Sequence, residues 1–232
     1  CHDLDIMMWM MSATKPTQIA SFGSKFQFKP ENAPEGAGTI CMKDCPYVDT
    51  CVYSTKRLYI DHPDRWAFYV WDALEGKENP TIEDKIELMK SDSPYARCIY
   101  KCDNDVVDHQ SVLINFASGA TGTLNMIGGS AEPRRDIHII GTKGEIFGNF
   151  EESKFTVLKI NPSPEAHHEE CDVEEVDLKV TGDMVGAYGG HGGGDERLAA
   201  DFVKFIRGEK PSLACTSIFD SVAGHLCVYL AD

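Results

Sequence analysis

Asp136-Ile137-His138-Ile139-Ile140-Gly141-Thr142-Lys143-Gly144-Glu145-Ile146-Phe147-Gly148-Asn149-Phe150 is the stretch whose reading decides the fold. Two apolar-rich runs flank Gly141-Thr142-Lys143-Gly144, and no helical pattern follows the second run. A phosphate cradle needs a helix N-terminus directly after its glycines, so these four residues read as a hairpin turn. The same arrangement recurs upstream, where Val112 to Phe116 turns at Ser118-Gly119 into Thr121 to Ile127. Phe155 to Ile160 and Val173 to Val180 extend the series. Thr17 to Phe28, with Ile19, Phe22, Phe26 and Phe28 apolar, reads as the first strand, and Arg97 to Cys102 as another. Consecutive hairpins make a mostly antiparallel sheet.

Helical spacing appears mainly at the two ends. Leu4, Met7, Met8 and Met11 recur every three to four residues, which predicts an amphipathic helix near the start. Asp195 to Arg207 places Leu198, Ala199, Phe202, Phe205 and Ile206 on one face and stops at Gly208. Ser217 to Leu230 repeats the pattern with Phe219, Val222, Ala223, Leu226 and Tyr229. A short helix over residues 66–76 carries Trp66, Tyr69, Val70 and Ala73 and ends at Gly76. Residues 29–40 and 161–171 read as loops, and Cys41 to Tyr59 shows little periodicity. The expected fold class is therefore α+β: one large, mostly antiparallel open sheet with helices packed on one face. The uncovered face requires solvent or a partner, which predicts a homo-oligomer formed through the sheet.

Composition narrows the function. The 232 residues include no segment approaching the roughly 18 consecutive apolar residues of a membrane span. A net charge of -15 argues against a nucleic-acid partner, which needs clustered Lys and Arg. The nine cysteines are odd in number and do not resemble a compact secreted scaffold, so a reducing cytoplasm is expected. Cys1 as the acylated start of a lipoprotein fits poorly, because a helix begins at once where a flexible tether belongs.

Three groups of residues carry candidate chemistry. His2 falls in the first turn of the opening helix, where the positive helix end and the adjacent Asp3 and Asp5 act on it in opposite senses. That setting suits a proton-transfer residue; a plain capping residue is the other reading. His191 lies among Gly189, Gly190, Gly192, Gly193 and Gly194 immediately before a helix, with Tyr188 in the same loop. Glycines allow close backbone approach to a ligand, so His191 could contact sugar hydroxyls, with Tyr188 a weaker candidate; a flexible loop whose His is incidental is the other reading. Cys41, Cys45 and Cys51 suit a tetrahedral zinc or iron–sulfur site that still needs a fourth ligand, for which Cys1, His62 and water are candidates. In the competing reading Tyr47, Tyr53, Leu58 and Tyr59 pack the loop against the sheet and the thiols are passengers. Arg134-Arg135 precedes a strand; such a pair is more often a solvated edge than an anion site, and it is left unassigned. No Gly-x-Gly-x-x-Gly occurs; Gly36-Ala37-Gly38 has Cys41 where the third glycine belongs.

Three features together resemble one family. His2-Asp3-Leu4-Asp5 before a Trp-bearing helix, Ile140 to Ile146, and Gly189 to Asp195 with the closing helix look like the substrate domain of Gfo/Idh/MocA-type oxidoreductases. The resemblance implies that residues 1–12 are a helix remnant linking to a nucleotide-binding Rossmann domain missing from this chain. Residues 13–232 then form the substrate-binding and dimerisation domain, with a Cys-bearing loop at 29–60. It implies NAD or NADP bound in the intact parent but not here, and a sugar, a polyol or a derivative as substrate. His2 would take the hydroxyl proton while His191 and Tyr188 contact substrate. The family's catalytic Lys, and the Asp found four residues before the His, fall ahead of this chain. Relatives that cleave glycosidic bonds with transient NAD chemistry, and a non-enzymatic dimerising or sugar-binding module, are the alternative readings.

Overall fold

A computed structural model describes residues 2–62, 67–167, 170–178 and 194–232. The chain divides into two compact units, residues 13–128 with 229–232 and residues 1–12 with 129–228.

The unit of residues 13–128 holds a three-stranded antiparallel sheet in the order β1 (Pro16–Ser24), β2 (His109–Phe116), β3 (Thr121–Ile127). Ile19 pairs with Ile114, and Val112 with Leu124. Alternation buries Val112, Ile114 and Phe116 of β2 on one face, while Leu113 points away. The β2–β3 turn forms as expected, with Gly119 at φ +85, a conformation that costs a side chain strain. β1 stops at Ser24 rather than Phe28. The N–H groups of Phe26, Gln27 and Phe28 bond to the Asp108 carboxylate and so cannot join the ladder.

The long connection from β1 to β2 is more ordered than its sequence suggests. It contains α2 (Cys41–Asp44), a π-helical turn at Arg57–Asp61, α3 (Ala67–Asp72) and α4 (Ile82–Met89). Val70, Met89 and Ala96 form its buried centre, with Ile40, Tyr59 and Leu88 packed around it. Helix α4 starts in a capping box: the Thr81 hydroxyl accepts from the Asp84 N–H at 3.3 Å, and the Thr81 N–H donates to Asp84 Oδ2 at 2.9 Å. Lys85 is buried on this helix with its ammonium 4.5 Å from the Trp71 ring centroid, and burial lowers its pKa. The strand expected over Arg97 to Cys102 is absent. Ile99–Lys101 closes into a 3₁₀ turn, and only an isolated bridge from Arg97 to Ile40 remains.

The second unit holds β4 (Asp136–Gly141), β5 (Gly144–Asn149), β6 (Lys154–Ile160) and β7 (Cys171–Asp177), antiparallel and in sequence order. Pairing confirms the hairpin at Thr142-Lys143, with Gly141 opposite Gly144. Gly144 sits at φ +152, and a Cβ there would collide with the Leu158 carbonyl oxygen. The registers put Ile137, Ile139, Ile146, Phe155, Val157 and Val176 on one face, and His138, Ile140, Phe147 and Val173 on the other. Helices α1 (His2–Met10) and α5 (Gly194–Ile206) belong to this unit, as does most of α6 (Ile218–Ala231).

Among the described residues the seven strands form two sheets, which corrects the single open sheet expected. The break falls after β3. The Gly128 N–H donates to the Asp108 carbonyl, Gly129 turns at φ +76, and Pro133 cannot donate to a ladder.

Candidate functional site

Helix α1 forms because Leu4 and Met8, one turn apart, are both buried. Its position is fixed on several sides. Arg135, just before β4, donates to Asp3 at 2.8 Å and to Glu151 at 3.2 Å. The Trp9 indole N–H donates to the Leu213 carbonyl at 3.1 Å. The Cys227 thiol of α6 reaches the Met8 sulfur at 3.5 Å, and a Cβ at Gly224 would strike the Asp5 carboxylate, so α6 lies close against α1. These exposed ion pairs position the helix more than they stabilise it. Arg135, left unassigned by its sequence, is exposed and links α1 to the segment before β4. His2 stands exposed at the first residue of this helix. His191 and Tyr188 lie outside the described residues.

The cysteines lie in the other unit. Cys41, Cys45 and Cys51 line one small cavity of about 10 Å³, and Cys98 lines it with them. Asp44 shapes this corner by accepting the N–H groups of Thr39 at 3.1 Å and Ile40 at 2.8 Å. The Cys98 N–H donates to the Thr39 carbonyl at 2.8 Å and fastens the later segment to the earlier one. The Thr55 N–H donates to Cys41 Sγ at 3.4 Å. Burial pushes the Cys98 thiol up, and the neighbouring Cys45 and Cys41 push it the same way against the N–H groups of Tyr100 and Lys101. As the side chains stand, no three His, Cys, Asp or Glu among the described residues are grouped to hold a metal. The zinc expected from the spacing of Cys41, Cys45 and Cys51 is thus unsupported. His62 does not line the cavity, and Cys1 lies outside the described residues. Tyr53 packs edge-on to Phe28 at 5.1 Å and to Tyr100 at 6.0 Å.

Asp108 escaped sequence reasoning altogether. Its carboxylate accepts from Phe26 at 2.8 Å and from Gln27 and Phe28 at 2.7 Å each, with His109 Nδ1 at 3.3 Å. Burial raises its pKa, but the N–H groups and the imidazole outweigh burial and hold the carboxyl well below the usual range.

No family model and no curated protein sequence matches the chain. Solved structures do. A UDP-N-acetylglucosamine 3-dehydrogenase from Acidithiobacillus ferrooxidans aligns over 99% of this chain and 45% of its own, at 11% identity and TM-score 0.50. The chain shares the fold of part of that dehydrogenase. It spans a little under half of that protein's length. A levoglucosan dehydrogenase in complex with NADH and levoglucosan covers 55% of this chain and 37% of its own, at 25% identity and TM-score 0.38. A mutant Gal80p from Saccharomyces cerevisiae covers 98% and 58%, at 12% identity and TM-score 0.39. Those two likenesses are too loose to bear on the fold. Among the described residues no helix is long and apolar enough to cross a membrane.

Proposed function

We propose that this chain is the substrate-side domain of a Gfo/Idh/MocA-type oxidoreductase that uses NAD or NADP to act on a sugar, a polyol or a derivative. The observation that carries this is a fold shared along nearly the whole chain with part of a sugar-nucleotide dehydrogenase. Fold alone does not assign chemistry, so the reading leans on His2 as well. His2 is exposed at the start of a helix whose later residues Asp3, Asp5 and Trp9 meet Arg135, Gly224 and Leu213.

In this proposal a nicotinamide cofactor, held by another domain of the parent, would supply the hydride acceptor. His2 accepts the hydroxyl proton as the carbonyl forms, and returns it in the reverse direction. His191 and Tyr188, which precede α5 in the sequence, would orient the substrate hydroxyls. The β4–β7 sheet joins copies of the protein through its Ile140, Phe147 and Val173 face, whose side chains are exposed here. The test is an assay of the whole protein that contains these residues. NAD⁺ or NADP⁺ reduction is followed against a panel of sugars, sugar nucleotides and polyols. Turnover of at least one member supports the proposal; binding of a sugar with no change in either cofactor refutes it.

A further inference from the structure

We propose that the His138–Glu145 pair makes self-association through the β4–β7 sheet depend on pH: copies join in mild acid and part as the imidazole loses its proton. This rests on the self-association proposed above and is independent of the oxidoreductase reading.

The registers put Glu145 in the middle of an apolar row. Ile140 lies opposite it on β4 and Leu158 on β6, and Leu158 in turn faces Val173 on β7. Directly opposed residues share a face of the sheet, so this carboxylate stands among the side chains that a second copy would cover. Ile140 is 71% exposed, Val173 61% and Ile160, at the same end of the sheet, 60%. A carboxylate in such a row resists being covered, because burying an unpaired charge is costly.

His138 answers that charge. Its Nε2 stands 2.8 Å from Glu145 Oε2, and its ring meets Phe147 edge-on at 5.9 Å. His138 is opposite Phe147 in the ladder, so imidazole, carboxylate and phenyl ring share the face. Nε2 can donate to the carboxylate whether the ring is charged or neutral; only the sum of charge differs. With the imidazole protonated the pair is neutral as a whole, and without that proton it carries one negative charge. Among the described residues Glu145 has no other ion-pair partner. Lys143 lies in the hairpin turn, and Lys154 is opposite Asn149, four residues along β5 and about 14 Å from Glu145. The remaining titratable groups of the face are engaged or distant. Arg134 holds Asp136 at 3.0 Å, Glu175 accepts from the Thr156 hydroxyl at 3.0 Å, Asp177 is opposite Lys154, and Cys171 is opposite Ile160.

The sign follows from what covering removes. A second copy laid over the row takes water away from Glu145. Below the range in which imidazoles titrate, about pH 5 to 8, a neutral pair goes under cover. Above it an uncompensated carboxylate goes under, once in each copy, and association weakens. The net charge of -15 also repels copies in general, and that repulsion eases in acid too, so variants must separate the two effects.

Sedimentation of the 232-residue chain is compared at about pH 5.5 and about pH 8 at one ionic strength. Wild type should associate at least about tenfold more tightly at the lower pH. Glu145→Gln removes the charge that needs an answer, so at the higher pH it should associate as tightly as wild type does in acid. His138→Gln should lose the gain in acid. Equal association of wild type at both pH values overturns the pH dependence while leaving self-association standing; a monomer at both overturns the two together. An acid gain in His138→Gln as large as in wild type also overturns the proposal, since general repulsion then accounts for it.

Discussion

Replacing Asp108 should loosen one segment and leave the rest of its unit in place. Three backbone N–H groups converge on this carboxylate at 2.7–2.8 Å, and the residue is buried. Each hydrogen bond to a charged group contributes about 1.5–3 kcal/mol, and the three share one anion, so their sum is less than additive. Asp108→Ala should therefore cost about 3–5 kcal/mol. Asp108→Asn should cost about 2–3 kcal/mol, because its amide nitrogen would replace one accepting oxygen and face an N–H instead. Amide hydrogen exchange resolves where the loss falls. The amides of Phe26, Gln27 and Phe28 should lose at least about a hundredfold in protection, while Val112 and Ile114 in β2 keep theirs. The pH dependence follows from the lowered pKa of Asp108. A carboxyl whose folded pKa is depressed contributes its full stability above the unfolded value near 3.9 and loses it as pH falls toward the folded value. The gap between wild type and Asp108→Asn should thus be constant from about pH 5 upward and shrink below about pH 4. Unchanged exchange at residues 26–28, or a gap that widens in acid, would refute the capping role.

Other expectations follow. This chain alone should bind neither NAD nor NADP at micromolar concentration, since it lacks a phosphate-binding loop; calorimetric titration checks this, and a clear binding isotherm would overturn it. It should self-associate through the Ile140, Phe147 and Val173 face, and Phe147→Asp should shift light scattering at high concentration to the monomer. A strict monomer in the wild type would contradict that. Thr81→Ala should cost about 1 kcal/mol by removing the α4 cap, measured by urea unfolding.

The hairpins were legible because their signals are local. Ile137 to Ile140 and Glu145 to Phe147 alternate around a glycine turn, and the pairing of Ile139 with Ile146 follows from the position of that turn. Helices α5 and α6 were legible for the same reason, as apolar spacing beginning in acids. What could not be read depends on contacts remote in sequence. Nothing around Asp108 shows that residues 26–28 will return to it some 80 positions away. Cys98 sat in what looked like a strand, so its place beside Cys41 had no signal. Helix α4 did carry one, Thr81 with Asp84 three residues later, but its eight residues fall within a stretch whose other pattern is weak. The division into two sheets falls between β3 and β4, where Gly129 takes a positive φ that the strand pattern on either side does not announce. Of the candidate site, the placement of His2 at a helix start was legible; the struts that hold that helix were not.

The most direct measurement compares cofactor reduction by the whole protein with and without His2. Wild type should reduce NAD⁺ or NADP⁺ with a sugar or polyol substrate. His2→Ala should lower kcat by roughly two to four orders of magnitude with the fold intact by circular dichroism. Because a general base sets the rise of activity with pH, the variant should also lose that rise. Near-normal turnover and an unchanged pH profile in His2→Ala would contradict the assignment of proton transfer to this residue.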